Sequence, residues 1–437
     1  MKDLNSMARN ARTAFYTISA SADGQRNRVL ENMITSLEED RQTIFNANRE
    51  DLKKAEETGL AAPLLHRLKF DEGKLKQCID GLKTLTGLED PLGKTTLSTE
   101  ITPGLDLYRV TCPIGVIGVI FESRPDALIQ IASLGIKSGN AVLLKGGSEA
   151  ICTNEALSES IRKALSQSGL PEDTVQLLTS REEVSAMLKE DELIDLIIPR
   201  GSNAFVRYIM DNSRIPVLGH SDGLCHVYID QDADPQMAVR VAVDSKAQNV
   251  SVCNAMETLL VHEKIAGSIL PLIKKGMDAN EIRLLGDRET RKWIDCAPAT
   301  EEDWKTEYLD RILSVRIVHS LQEAIEHINH YGSHHTDAIV TDSRETASAF
   351  LSRVDSASVY WNVSTRFADG FVYGFGAEVG IATGKIHARG PMGLEGLTTY
   401  KYKLIGNGQT MADMKAGKAH YTHVPLNQND PTGRKEG

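Results

Sequence analysis

PIGVIGVIFESRPDALIQIASLGIKSGNAVLLKGGSEA, residues 113 to 150, holds two β-like runs with a helical segment between them. GVIGVIF and AVLLK are short and apolar. The stretch between them, from about Asp126 to Ser138, closes on Gly139-Asn140, residue types that end helices. The same alternation continues. A helix from about Ser148 to Gln167 leads to VQLL, and a helix opened by the capping-box pattern Ser180-x-x-Glu183 leads to LIDLIIP and then to the helical NAFVRYIM. Successive βαβ units imply a parallel sheet sandwiched by helices. Upstream the pattern differs: Val29, Leu30, Met33, Ile34 and Leu37 recur at helical spacing, and this helical quarter ends near residue 91. Downstream, after IPVLGH and LCHVYID, a further helix leads to Cys253, where a second α/β region begins.

The whole chain has 437 residues, 41% hydrophobic and 25% charged, which suits a soluble globular protein of two or three domains. Its 49 basic against 60 acidic side chains give a net charge of −11, which disfavours a general nucleic-acid binder. MKDLNSMARNARTAF lacks the apolar region of a secretory signal, and no run approaches ~18 apolar residues, so a cytoplasmic protein off the membrane is expected. The six cysteines are scattered without a CxxC pair, so reduced thiols are expected rather than a disulfide scaffold or a zinc knuckle.

No GxGxxG follows a strand; the nearest match, GFGAEVG at 374 to 380, has the wrong spacing. In LLKGGSEA, residues 143 to 150, glycines at a strand end permit close approach of a ligand and Lys145 can reach a ribose or phosphate oxygen, although an ordinary strand-to-helix turn has the same pattern. Within AQNVSVCNAMETLLVH, residues 247 to 262, Cys253 stands between a polar turn and what reads as the start of an apolar helix. Such a cysteine is either a small buried hydrophobe or a thiolate at a helix N-terminus, its pKa drawn below the usual value of about 8.5. His327, His330, His334 and His335 tempt a metal reading, the first two sharing a helical face, but no nearby cysteine or carboxylate completes a site, so no metal is expected.

The stretch 113 to 150, the Cys253 segment, EYLDRILSV and SVYWNVSTRFADGFVYGFGAEVG resemble, in that order, landmarks of the aldehyde dehydrogenase superfamily over about Pro113 to Tyr400. CNAMETLLVH, VHSLQEAIEHINHYGSHHTDAI at 318 to 339 and KIHARGPMGLEGLTTYKY at 385 to 402 resemble the branch that reduces L-glutamyl 5-phosphate. The resemblance implies an α/β, aldehyde dehydrogenase-like fold. It has a Rossmann-like NADP-binding domain over 1–222, a catalytic domain over 223–388, and a C-terminal strand and tail over 389–437 that join a strand pair near 97–112 in a small β oligomerisation arm. It implies NADPH-dependent conversion of the acyl phosphate to glutamate 5-semialdehyde through a Cys253 thioester, the second step of proline biosynthesis, followed by a homo-oligomer and transient contact with a glutamate 5-kinase.

It also implies roles for individual residues. Cys253 is the nucleophile, with its backbone N–H as first oxyanion donor, while Ser123 stands where the superfamily commonly has an asparagine as the second. VLGHSDGLCHVY carries Gly219 and His220 near the place of the superfamily's general-base glutamate, so water is not expected to release the thioester. Lys145, Gly146, Gly147 and Ser148 line the adenosine side of the cofactor. Ser148 replaces the glutamate of NAD-preferring members, which favours NADP despite the adjacent Glu149. Gly201-Ser202 approach the pyrophosphate and Glu307 the nicotinamide ribose. Arg124, Ser364, Thr365 and Arg366 are the expected substrate contacts. Two other functions fit the same features: a different acylating dehydrogenase of the superfamily, and a non-catalytic metal- or ligand-binding protein built on the fold.

Overall fold

The computed structural model describes residues 4–60, 62–122, 124–180, 182–219 and 222–433. Five helices open the chain: α1 (Leu4–Ile18), α2 (Asp23–Glu39), α3 (Arg41–Glu57), α4 (Ala62–Leu68) and α5 (Glu72–Thr86). The periodic stripe of α2 buries Val29, Leu30, Met33 and Leu37 in the first core. A hairpin follows, β1 (Thr95–Thr102) and β2 (Leu105–Pro113).

The first alternating region comprises β3 (Val116–Phe121), α6 (Pro125–Lys137), β4 (Ala141–Lys145), α7 (Ile151–Gln167), β5 (Val175–Leu178), α8 (Glu182–Met187), β6 (Leu196–Arg200) and α9 (Asn203–Asn212). Its four strands pair in parallel in the order β5-β4-β3-β6. Every residue of β3 and β4 is buried, because helices cover both faces. Ser180 and Glu183 form the reciprocal capping box expected of them: the Ser180 N–H donates to the Glu183 carboxylate at 2.6 Å, and the Glu183 N–H to the Ser180 hydroxyl at 3.3 Å.

The second region holds β7 (Cys225–Ile229), α10 (Pro235–Ala247), β8 (Met256–His262), α11 (Glu263–Asp278), β9 (Arg283–Gly286), β10 (Ala297–Pro298), β11 (Ile312–Val318), α12 (Leu321–Tyr331), β12 (Thr336–Val340), α13 (Arg344–Arg353) and β13 (Ser358–Trp361). The strands form a seven-stranded parallel sheet in the order β10-β9-β11-β8-β7-β12-β13. Here the sequence reading fails at one point: METLLVH is the central strand β8, not a helix. All seven of its residues are buried between neighbours on both sides, so both faces are apolar and no alternation marks it as a strand.

The chain then returns to the first core. Ala377, Val379, Ala382, Met392, Leu394 and Leu397 pack there, around the antiparallel pair β14 (Gly380–Ala382) and β15 (Gly390–Met392). Next, β16 (Thr398–Ile405) pairs with β2, and β17 (Val424–Pro425) with β1, giving a separate sheet in the order β16-β2-β1-β17. Among the described residues no helix is long and apolar enough to cross a membrane. Cys253 lies in the turn just before β8, opposite Arg200 at the carboxyl end of β6. The carboxyl edge of one sheet therefore faces the amino edge of the other, and the carboxyl edge of an open parallel sheet is where such folds receive ligands.

Candidate active site

The turn that carries Cys253 is held from three sides. The Thr365 hydroxyl donates to the Asn254 carbonyl at 2.7 Å, and the Asn254 side-chain amide donates to the Ala368 carbonyl at 3.0 Å. The Cys225 thiol reaches the Cys253 carbonyl at 3.2 Å. Gly223 lies flat against the same carbonyl: a Cβ there would stand 2.1 Å from the Cys253 oxygen. The segment just before β7 thus approaches the turn as closely as only glycine permits.

Around the sulfur the electrostatics differ from expectation. No helix begins at Cys253, so no helix dipole lowers its pKa; burial, with the carboxylates of Glu378 and Glu307, pushes the thiol up to about 12, against a downward pull from Arg200 and the residue's own backbone N–H. That N–H facing the sulfur suits the expected oxyanion donor. Glu378 accepts the Gly370 N–H at 2.9 Å, and burial raises its pKa, as it does that of Glu307. Glu307 accepts from the Asn203 amide at 2.5 Å, and Asn203 also donates to Asp222 at 2.9 Å. The imidazole Nε2 of His335 lies 3.2 Å from the Cys253 sulfur.

The expected substrate contacts divide. Arg366 faces Cys253 from a half-buried position, its Nε donating to Gln248 at 2.9 Å. Ser364 and Thr365 turn inward instead. Thr365 is fully buried, and the Ser364 hydroxyl is 3.2 Å from that of Ser245. Their side chains brace the Cys253 turn against α10 rather than face a ligand, because a buried hydroxyl must spend its hydrogen bonds locally. Arg124 ion-pairs with Asp126 at 3.3 Å. Ser123 and His220 lie outside the described residues.

On the cofactor side, Lys145 is buried at the end of β4 and its ammonium donates to the Gly146 carbonyl at 2.5 Å. A Cβ at Gly146 would meet the buried Asn154 amide at 2.2 Å, whereas one at Gly147 would meet only the tip of the Glu149 side chain, at 2.1 Å, which folds back over Gly147 and can swing away. Ser148 is exposed. The α7 N-terminus is already occupied: Asp51, from α3, accepts the Thr153 N–H at 2.8 Å and the Cys152 N–H at 3.2 Å. At α9, likewise, the Ser202 N–H donates to the Glu122 carboxylate at 3.2 Å, and a Cβ on Gly201 would also meet Glu122. A pyrophosphate approaching Gly201-Ser202 would have to displace that carboxylate. Lys145 and the close-approach Gly146 fit a dinucleotide.

The four histidines disperse. His327 packs against Trp304, Tyr331 and His226; His330 lies edge-on to Tyr331; His334 Nδ1 is 2.6 Å from the Asp355 carbonyl; His335 alone of the four reaches Cys253. Among the described residues no group of three or more His, Cys, Asp or Glu could hold a metal ion. Sequence reasoning missed Arg200, Glu378 and His335 as neighbours of the thiol. Glu378 lies inside GFGAEVG and His335 inside the run 318 to 339, whereas Arg200 falls between LIDLIIP and Gly201-Ser202; none of the three carries a spacing that points to Cys253.

A half-buried cysteine between the carboxyl edge of a parallel sheet and a second parallel α/β sheet, with dinucleotide-compatible turns facing it, defines a thiol-dependent dehydrogenase of two-domain plan. The aldehyde dehydrogenase family model matches residues 1–292. The gamma-glutamyl phosphate reductase of Pelotomaculum thermopropionicum is 58% identical over 427 residues, 98% of each chain. The crystal structure of gamma-glutamyl phosphate reductase from Thermotoga maritima matches at a TM-score of 0.92 and 40% identity, covering 94% of this chain and 100% of that one. An acetylating aldehyde dehydrogenase from Geobacillus thermoglucosidasius, 17% identical at a TM-score of 0.64 over 94% of this chain and 99% of that one, shares the fold. The chain belongs to the aldehyde dehydrogenase family and, within it, to the gamma-glutamyl phosphate reductases.

Proposed function

We propose that the protein reduces L-glutamyl 5-phosphate to L-glutamate 5-semialdehyde with NADPH, releasing phosphate, as the second step of proline biosynthesis from glutamate. The observation that carries this reading, beside the likeness to gamma-glutamyl phosphate reductases, is a cation at the nucleophile: Arg200 faces Cys253 from the end of β6. A guanidinium there suits the departing phosphate as well as the approaching one.

In this mechanism the Cys253 sulfur attacks the acyl carbon, the carbon–oxygen bond to phosphate breaks, and a thioester forms. The Cys253 N–H receives the transient oxyanion, and Arg200 and Arg366 hold negative charge near the sulfur. When bound, NADPH supplies the hydride that turns the thioester into the aldehyde. Glu378 and Glu307 are each already engaged by a donor, the Gly370 N–H and the Asn203 amide, which disfavours their turning to activate water. The thioester then survives until hydride arrives. Lys145 and exposed Ser148 favour a cofactor with a 2′-phosphate. The four-stranded sheet of β16, β2, β1 and β17, with Tyr400, Tyr402 and Leu404 exposed, serves as the oligomerisation arm of a homo-oligomer.

The test is the reverse reaction: NADP⁺ reduction with pyrroline-5-carboxylate, which equilibrates with glutamate 5-semialdehyde, with and without phosphate, for wild type and Cys253→Ala. Strict phosphate dependence, lost in the variant, supports the reading. Turnover that requires coenzyme A instead of phosphate would assign the protein to another acylating dehydrogenase, and turnover surviving without the thiol would remove Cys253 from the mechanism.

A further inference from the structure

We propose that His335 is a catalytic residue, the proton acceptor that converts Cys253 from thiol to thiolate and the donor that later protonates the departing phosphate. The inference rests on Cys253 being the nucleophile, as read above. His335 directly precedes β12, and its side chain is 1% exposed, with Nε2 3.2 Å from the Cys253 sulfur. The other ring nitrogen, Nδ1, stands 2.9 Å from the Thr336 hydroxyl and 3.7 Å from the Cys225 sulfur. The backbone is fixed as well, since the His335 carbonyl accepts the Ser358 N–H at 3.0 Å from β13. If Nδ1 carries the proton and gives it to Thr336, Nε2 presents a bare lone pair to the S–H; the orientation of the ring selects the tautomer that a base needs.

The surroundings explain why the thiol needs such a partner. The carboxylates of Glu378 and Glu307 disfavour an isolated thiolate, while Arg200 and Arg366 favour one. Behind the pair, Cys225 on β7 lies 3.7 Å from Nδ1, and Asp337 on β12 and Glu257 on β8 act on Cys225 in turn. Proton transfer within the contact creates thiolate and imidazolium together, a pair with no net charge, which a half-buried site tolerates better than a lone anion. The chemistry balances. The S–H proton moves to Nε2, the carbon–sulfur bond forms as the carbon–oxygen bond to phosphate breaks, and the imidazolium proton passes to the leaving phosphate oxygen. After hydride transfer the carbon–sulfur bond breaks, the aldehyde leaves, and the thiolate is reprotonated from solvent through neutral His335. One proton is consumed per turnover, as reduction of an acyl phosphate to an aldehyde and hydrogen phosphate requires.

The experiment follows Cys253 alkylation by iodoacetamide against pH, without substrate, quantified on the Cys253 peptide so that the other cysteines do not contribute. Wild type, His335→Gln and Thr336→Val are compared, the last keeping the imidazole but removing the Nδ1 partner. His335→Gln should slow alkylation at pH 7 by about tenfold or more, with the difference closing above pH ~10 as hydroxide takes over, and should lower kcat about 10²-fold with little change in KM for NADP⁺. Thr336→Val should shift the profile in the same direction by less, and imidazole added to His335→Ala should restore part of the rate. An alkylation profile unchanged in folded His335→Gln, or unchanged in Thr336→Val should the glutamine variant not fold, would overturn the proposal. Failure of the reductase reading would show separately, as wild type that alkylates with the expected profile but turns over without phosphate.

Discussion

Gly223→Ala tests whether the nucleophile is positioned by backbone contact. The added Cβ would stand 2.1 Å from the Cys253 carbonyl oxygen, 2.5 Å from its Cα and 2.7 Å from its carbonyl carbon, whereas real Cβ contacts begin near 3.0 Å. All three atoms are backbone, so no side chain can rotate away, and one strand of chain must retreat by about 0.9 Å. The Gly223 loop is anchored by the Leu224 N–H to Ser333 at 2.8 Å and by β7 immediately after it, and the Cys253 turn is held through Asn254, so the two share the displacement and the sulfur shifts with its turn. A displacement near 1 Å at a reacting atom costs about 10²-fold in rate, and overpacking about 1–3 kcal/mol in stability. The assay is kcat and KM for the phosphate-dependent reverse reaction, with thermal melting alongside. kcat should fall about 10²-fold while KM for NADP⁺ stays within about threefold, since the proposed adenosine contacts at Lys145 and Ser148 lie on the other sheet. A kcat within threefold of wild type, at an unchanged melting temperature, would refute the idea that this loop sets the position of the sulfur.

Three further outcomes are expected. Lys246 and Glu257 form a fully buried pair at 2.5 Å; burial pushes Glu257 up to about 7 and Lys246 down, so Lys246→Met alone should cost about 3–5 kcal/mol in chemical denaturation, and Lys246→Met with Glu257→Leu should recover most of it. Burial, with the His226 and Arg316 charges nearby, draws His327 down to about 2, so the fold favours its neutral form. Its contribution is therefore present above the unfolded pKa near 6.5 and is lost as pH falls; between pH 6.5 and 5 the wild type should lose about 2 kcal/mol on this account, and His327→Phe should flatten that slope. Gly24, in the first turn of α2, has nothing within 4 Å of an added Cβ and no positive φ, so Gly24→Ala should raise stability by about 0.4–1 kcal/mol, measured as an increase in melting temperature.

Local rules made much of the first region legible. Gly139 takes the left-handed conformation that ends α6, at φ +71, and the Ser180–Glu183 box opens α8 as its pattern required. These signals lie within a few residues of what they control. METLLVH defeated the same method because a strand buried on both faces and a buried helical segment present the same apolar run, and only its seat between β11 and β7 distinguishes them. The expected low thiol pKa fell with that helix. Asp51 is a similar case: it caps α7 from about a hundred residues away, and no local pattern in either segment announces the pairing.

The sequence by itself determined the alternation of strands and helices, the cysteine to watch and the family likeness, because periodicity, capping and motif order are properties of neighbouring residues. Only the tertiary structure decided what surrounds the sulfur. Arg200, Glu307, His335 and Glu378 come from four separate stretches, His335 standing 82 positions from Cys253, and they meet because two parallel sheets turn opposite edges towards each other. A side chain's pKa and its hydrogen-bond partner depend on distances through space, and those distances exist only once both cores have packed.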